Sequence, residues 1–175
     1  MMIGDKEKKL INLWKDLCHT HGYPHRKFFN PAAVPDHLPN IAIMERDPES
    51  DPDDYVVRLA GTMVDKMAGI SLKGLRSSEF NDPETDKLFR KSFKKVVDTP
   101  CGASFYRKTI SPEGREIGIT MTILPFKGKS EAAPQILFYT RYDNVAIHHD
   151  RSGGFVVEPI EKWAFFDLGF GVPEG

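Results

Sequence analysis

Histidine, cysteine and clustered carboxylates are where a chain of this size would carry reactive or metal-binding chemistry, and here their spacing argues against it. His19 and His21 are two apart and fall on different sides of a helix. His21 and His25 are four apart, a helical ligand spacing, but Gly22 and Pro24 break the helix between them. His148, His149 and Asp150 lie in a linker-like stretch, where adjacent side chains diverge. All of these read as solvated or loop residues. The acidic run over residues 47–54 invites a calcium reading. Counted from Asp47, an EF-hand loop needs Gly at its sixth place and Glu at its twelfth. The sequence has Pro52 and Arg58 there, so a solvated loop is expected. There is no GxSxG elbow and no phosphate-cradling glycine loop. Cys18 and Cys101 form no CxxC pair and read as small apolar residues. Glu116 falls on a polar strand face and Asp143 ends a strand, which leaves little for general acid–base work. No catalytic residue is assigned, and the chain is not expected to be an enzyme.

What remains is apolar. Leu59, Met63, Met67, Phe89, Phe93, Phe105, Met121, Ile123 and Phe138 are the expected walls of an interior space. Methionines and phenyl rings can line a pocket for an apolar or aromatic small molecule, and they can equally fill a tight core. Both readings stand at this point, with the strand phases of Phe105 and Phe138 the least determined. Arg58 points away from Leu59 and is expected to form a surface or sheet-edge charge pair. Lys87, Arg90, Lys91, Lys94 and Lys95 form a cationic helix face. The formal net charge of -1 and the lack of a binding motif make it a solvated face, so no nucleic-acid partner is expected.

The elements that would position these residues are legible. Leu10, Leu13, Trp14, Leu17 and Cys18 fall on one face of a helix over 7–21. That stripe either packs on its own domain or pairs with the same helix of a second subunit, making Leu10, Leu13, Trp14 and Leu17 the expected homodimer interface. Asn30 and Pro31 open a short helix over 32–37, closed by Pro39. Strands 41–45 and 55–60 form a long hairpin, and short helical turns follow over 64–68 and 72–75. Asn81 or Asp82 caps a clear helix that Pro100 stops. A hairpin of strands 103–110 and 115–125 turns at Ser111-Pro112-Glu113-Gly114, and a last strand covers 134–142. Ile117, Ile119, Met121 and Ile123 alternate with Glu116, Gly118, Thr120 and Thr122, which predicts a sheet with one core side and one wet or partner-facing side. The order predicts an α+β fold, an antiparallel sheet with helices clustered on one face.

Leu10-x-x-Leu13-Trp14, Leu38-Pro39-Asn40-Ile41 and Arg58-Leu59-Ala60-Gly61-Thr62, followed by Gly69-x-x-Leu72-x-Gly74, resemble the PAS-type family common in alphaproteobacteria. The resemblance covers roughly residues 10–143. It implies a five-stranded antiparallel PAS sheet with helices enclosing a central cavity, and no particular ligand. Haem held by histidine, or a flavin photosensor with a reactive cysteine, would need those residues in the helices that follow Thr62. Residues 62–98 contain neither, so no haem and no metal are expected.

The expected organisation is an N-terminal helix over 1–30, a PAS-like sensory domain over 31–145 and an apolar extension over 146–175. The extension carries Phe155, Val156, Val157, Ile160, Trp163, Phe165, Phe166, Leu168 and Phe170, too apolar for an inert end. It is expected to fold back over its own sheet or to exchange between subunits, rather than dock on a foreign partner. A chain of 175 residues, 40% hydrophobic, with no signal-peptide core and no membrane-length apolar run, is expected to be cytoplasmic. The function expected is a stand-alone sensory module that binds a small molecule or acts through a separate signalling protein. A structural interaction domain with a filled core and a small α+β-cone enzyme are the rivals.

Overall fold

The structure, a computed structural model, describes residues 3–50, 54–144 and 155–174. His148, His149 and Asp150 lie outside them. Helix α1 (Asp5–His21) opens the described chain, and three 3-10 turns carry it to strand β1 (Ile41–Arg46). Strand β2 (Tyr55–Ala60) returns beside it. Helices α2 (Thr62–Ala68), α3 (Ser77–Phe80) and α4 (Pro83–Asp98) follow. Strands β3 (Gly102–Ile110), β4 (Glu116–Phe126), β5 (Gln135–Asp143) and β6 (Val156–Phe166) complete the sheet.

Local chemistry explains the two long helices. In α1, Leu10, Ile11 and Trp14 recur at helical spacing and are buried. Gly22 ends it at φ 69, a conformation that costs glycine little, and its N–H returns to the Cys18 carbonyl at 2.8 Å. In α4, the Asp82 carboxylate accepts from the N–H groups of Glu84 (3.1 Å) and Thr85 (2.9 Å), and Pro83 occupies the first turn. Hydrogen bonds from Thr85 foremost hold the Asp82 carboxyl below its ordinary range. A folded-state value below the unfolded one stabilises at neutral pH and is lost as pH falls through it. We therefore expect Asp82→Ala to cost about 1 kcal/mol at pH 7. The difference from wild type should shrink as pH falls below about 4, read from urea denaturation; an equal difference at pH 3 and pH 7 would remove the capping account.

The sheet has six strands in the order β2-β1-β5-β4-β3-β6, each pair antiparallel. The first five strands are those expected from sequence. The sixth comes from the C-terminal extension, which adds to the sheet edge beside β3 rather than covering a face. Beyond β6, Asp167 accepts from the N–H groups of Gly169 (2.6 Å) and Gly171 (2.8 Å). That turn carries Leu168 into the apolar layer beneath α1 and sets Phe170 6.3 Å from the rings of Trp14 and Tyr23.

Two apolar cores lie on the two faces of the sheet. Helices α2 to α4 cover one, which holds Met44, Phe89, Phe93, Phe105, Met121 and Phe138. Helix α1 covers the other, which holds Leu10, Trp14, Ile43, Leu124, Leu137 and Tyr139. The wet side expected for the threonine face of β4 is therefore corrected: Thr120 and Thr122 are buried, because α1 lies across that face. Trp14 is 1% exposed and its Nε1 donates to the Pro125 carbonyl at 2.7 Å. Leu10 is buried beside it, and Leu13 and Leu17 are half-buried on the rim of the same core. Of the expected dimer interface, Leu10 and Trp14 are thus committed to their own sheet. An acid sits in this layer too. Glu7 is fully buried, with the Arg141 guanidinium 3.1 Å away. Burial, then the Glu7 charge, pushes the neighbouring Tyr139 phenol up to about 12.

Candidate ligand-binding site

On the α2–α4 side the core is packed at one end and hollow at the other. Phe93, Phe105 and Ile123 are fully buried and fill the packed end. Phe89 stacks on Phe93 at 5.5 Å and meets Phe105 edge-on at 5.3 Å; Phe93 meets Phe138 edge-on at 5.3 Å. Offset and edge-on pairs of this kind give rigid aromatic packing. Beside them lies a cavity of about 410 Å³, within the range of small-molecule sites.

Each wall has a sequence reason. Alternation on β4 turns Ile119 and Met121 inward, and register places Met121 opposite Phe105 and Thr140. Strands β1 and β2 supply Met44 and Val57, α4 supplies Phe89, and β5 supplies Phe138 and Tyr142. From α2 come Val64, Met67 and Ala68, the i, i+3, i+4 face of a helix that starts at Thr62. From the C-terminal extension come Phe155 and Val157, which close the side next to β3.

Of the nine residues expected to form the walls, Met67, Phe89, Met121 and Phe138 line the cavity. Phe93, Phe105 and Ile123 support it from within the packed core. Leu59 is corrected: it is 44% exposed and lies on the opposite face, in a shallow groove with Leu38 and Ile43. The cause is a β-bulge. Ile43 pairs with Leu59 and Met44 with Val57, so Arg58 is an extra residue that reverses the strand's phase. Met63 is corrected for a smaller reason: Val64 takes the inward position on α2 and Met63 stays half-buried outside the cavity. Arg58 forms the expected charge pair, 2.9 Å from Glu45.

Sequence reading missed the polar end of the cavity. Arg107 and Thr109 on β3 and Thr140 and Tyr142 on β5 line it with Asn81. A signal was present: with Phe105 turned inward, period-2 alternation also turns Arg107 and Thr109 inward. The Thr109 hydroxyl donates to the Val156 carbonyl at 2.9 Å, and Asn81 Nδ2 to the Ser77 carbonyl at 3.1 Å. The Arg107 Nε is buried and has no hydrogen-bond partner among the described residues. Burial lowers the guanidinium's pKa, opposed by the charge of Asp82 and by Tyr142.

Outside the cavity the charged groups serve the scaffold. Arg76 lies 2.8 Å from Asp47 and 3.7 Å from the buried Asp54, so the acidic loop is tied to the start of α3. Arg90 lies 2.7 Å from Asp86 and 3.8 Å from Asp54, which removes it from the cationic face of α4. Cys101 is buried in the core, and burial, then Asp167, pushes its thiol up to about 11. It stays protonated at neutral pH and is a poor nucleophile. Among the described residues no group of three or more His, Cys, Asp and Glu side chains is placed to hold a metal ion. Nor is any described helix long and apolar enough to cross a membrane.

A family model described as PAS domain matches residues 2–139, which takes in α1, the first four strands and the first half of β5. Among solved structures, the chain is similar to the Vibrio cholerae VqmA dimer in the absence of target DNA. Identity is 15%, over 73% of this chain and 59% of that one, with a TM-score of 0.47. It is similar to a variant of RsLOV at 11% identity, over 63% of this chain and 65% of that one, with a TM-score of 0.41. It is also similar to an RNA-binding Light-Oxygen-Voltage receptor at 14% identity, over 67% of this chain and 35% of that one, with a TM-score of 0.38. The chain spans less than two thirds of the length of each. No curated protein matches it.

Proposed function

The chain belongs to the PAS domain family, and on that premise we propose that it is a sensory module whose input is a small apolar or aromatic molecule held in the cavity beside α2. Its output is contact with a separate signalling protein. The family is generally sensory and non-catalytic, and no catalytic step is part of this reading. The observation that carries it is the hollow end of the core. A chain that needed only a stable interior would close a space of about 410 Å³, since unfilled volume destabilises. Met44, Met67 and Met121 border that space, and thioether side chains adapt to the shape of a guest.

Strand β6 supports the second half of the reading. Val157 lies at the mouth of the cavity, itself 49% exposed, and Val156 beside it is 59% exposed and Trp163 49% exposed. A guest that moved Phe155 or Val157 would be felt at an apolar outer surface. Signalling by such a shift requires only that the guest prefer one arrangement of the strand over another.

Native mass spectrometry of freshly purified protein tests the input. A reproducible non-covalent adduct is expected, with a thermal shift on adding the released molecule back. A ligand at a hundred times its Kd stabilises by about 2.7 kcal/mol. Phe138→Trp, which fills the cavity from its β5 wall, should abolish the adduct while the protein stays folded. No adduct, together with no thermal shift across a metabolite panel, would instead favour an interaction domain. The solid packing of Phe93, Phe105 and Ile123 is what speaks for that alternative.

A further inference from the structure

Arg107 is out of place in an apolar chamber. Four other arginines have carboxylate partners, whereas the half-buried Arg26 packs on the Phe29 ring and donates to its carbonyl at 3.4 Å. Arg58 has Glu45, Arg76 has Asp47, Arg90 has Asp86 and Arg141 has Glu7. Arg107 has no ion pair or hydrogen bond among the described residues, and its Nε is buried. Asp82 acts on it at longer range, but Asp82 is committed to capping α4. A guanidinium donor taken out of water and left open is unfavourable, and an apolar residue in its place would not be. Register fixes where the charge sits. Arg107 lies opposite Ile119 on β4, and Ile119 lies opposite Tyr142 on β5. The next inward row is Phe105, Met121 and Thr140. The row after that is Ala103, Ile123 and Phe138, so the cavity has a cationic end and, over the next two rows, an apolar end closed by Met121 and Phe138.

We propose that the natural guest of this cavity is an amphiphilic monocarboxylate, its acid group on the Arg107 guanidinium and its apolar or aromatic body against Phe89, Met121 and Phe138. This rests on the reading of the cavity as a ligand site and adds the chemistry of the ligand. The planar fork of arginine suits a carboxylate, which it can take with two parallel hydrogen bonds. Stoichiometry favours a single charge. Among the described residues lining the cavity, Arg107 is the one formal charge. A phosphate dianion would leave excess negative charge in an apolar space with Asp82 nearby, whereas a carboxylate cancels it. The neutral Tyr142 of the same row adds polarity without adding charge, and Thr140 does so one row along.

The test uses the whole protein and two pairs of probes, 4-phenylbutyrate and octanoate, each beside its primary amide, titrated by calorimetry. Both acids are expected to bind the wild type at least about 10-fold more tightly than their amides, the scale of one charge-assisted hydrogen bond. Arg107→Met keeps most of the apolar stem and should remove that preference, leaving acid and amide of each pair within about 3-fold of one another. Arg107→Lys, which keeps the charge and loses the fork, should fall between. Thermal unfolding of each variant checks that the fold is intact. Amides that bind as tightly as the acids, or a preference that survives in Arg107→Met, overturn the carboxylate assignment and leave the cavity reading standing. Failure of all four probes on the folded wild type counts against both.

Discussion

Trp14→Ala is expected to lower the free energy of unfolding by about 3–5 kcal/mol, the range for removing a large aromatic side chain from a core. Its effect should be on the fold and not on association. Trp14 is fully enclosed between α1 and the sheet, beside Tyr23 and Phe170. Truncation removes that packing and leaves the Pro125 carbonyl without its indole donor at 2.7 Å. Trp14→Phe separates the two contributions: it keeps most of the apolar area and loses the hydrogen bond, so a loss of about 1–2 kcal/mol is expected. The measurement is chemical denaturation at two protein concentrations tenfold apart. An internal role predicts the same shift in midpoint at both. A shift that grows on dilution, with light scattering showing a dimer that Trp14→Ala dissociates, would return the residue to a subunit interface, because only association makes stability depend on concentration.

Gly61→Ala should be strongly destabilising, at about 3 kcal/mol, the upper end of ordinary overpacking. The backbone dihedrals of Gly61, φ -70 and ψ 158, suit any residue, so conformational freedom is not the reason for glycine here. Space is. A Cβ at this position would collide with the carbonyl oxygens of both Leu38 and Pro39. These are backbone atoms in the 3-10 turn that leads into β1 and cannot rotate away. The Gly61 N–H also donates to the Ile41 carbonyl at 2.7 Å, so the junction cannot part without losing a hydrogen bond at the start of the sheet. Urea denaturation gives the number, and a cost under about 1 kcal/mol would mean that the turn before β1 yields easily. The Leu38-Pro39 turn and the Gly61-Thr62 junction, 22 residues apart in sequence, are thus two halves of one close approach.

Much of this was readable beforehand because it depends on local spacing. The stripe of α1, the cap at Asp82, the alternation of β4 and the hairpin turn after β3 each rest on residues within a few positions of one another. The bounds of β2 come out as expected for that reason, and those of α4 and β3 to β5 shift by a residue or so. Where a reading failed, a distant partner decided. Leu59 would line the cavity if β2 kept its period, but pairing with β1 inserts Arg58 as a bulge and turns Leu59 outward. Trp14 has the same helical stripe whether it meets a second copy or its own sheet; in the structure it lies in one core with Leu124, Phe126 and Leu137.

The cavity divides along the same line. Met67, Phe89, Met121 and Phe138 were identifiable because strand and helix periodicity set which way each faces relative to its neighbours. Residue order along the chain does not say how much space is left between packed elements. Volume is a property of all the walls together, so the amino-acid pattern alone permitted a full core as readily as a hollow one. The sequence by itself determined the family, the antiparallel α+β layering and the inward side of β4. Only the tertiary structure decided that α1 seals the second face, that the C-terminal extension supplies a sixth strand and a cavity wall, and that Arg107 faces into that space with no ion pair among the described residues. Each of those outcomes is set by contacts between residues far apart in sequence, whose energies no local window contains.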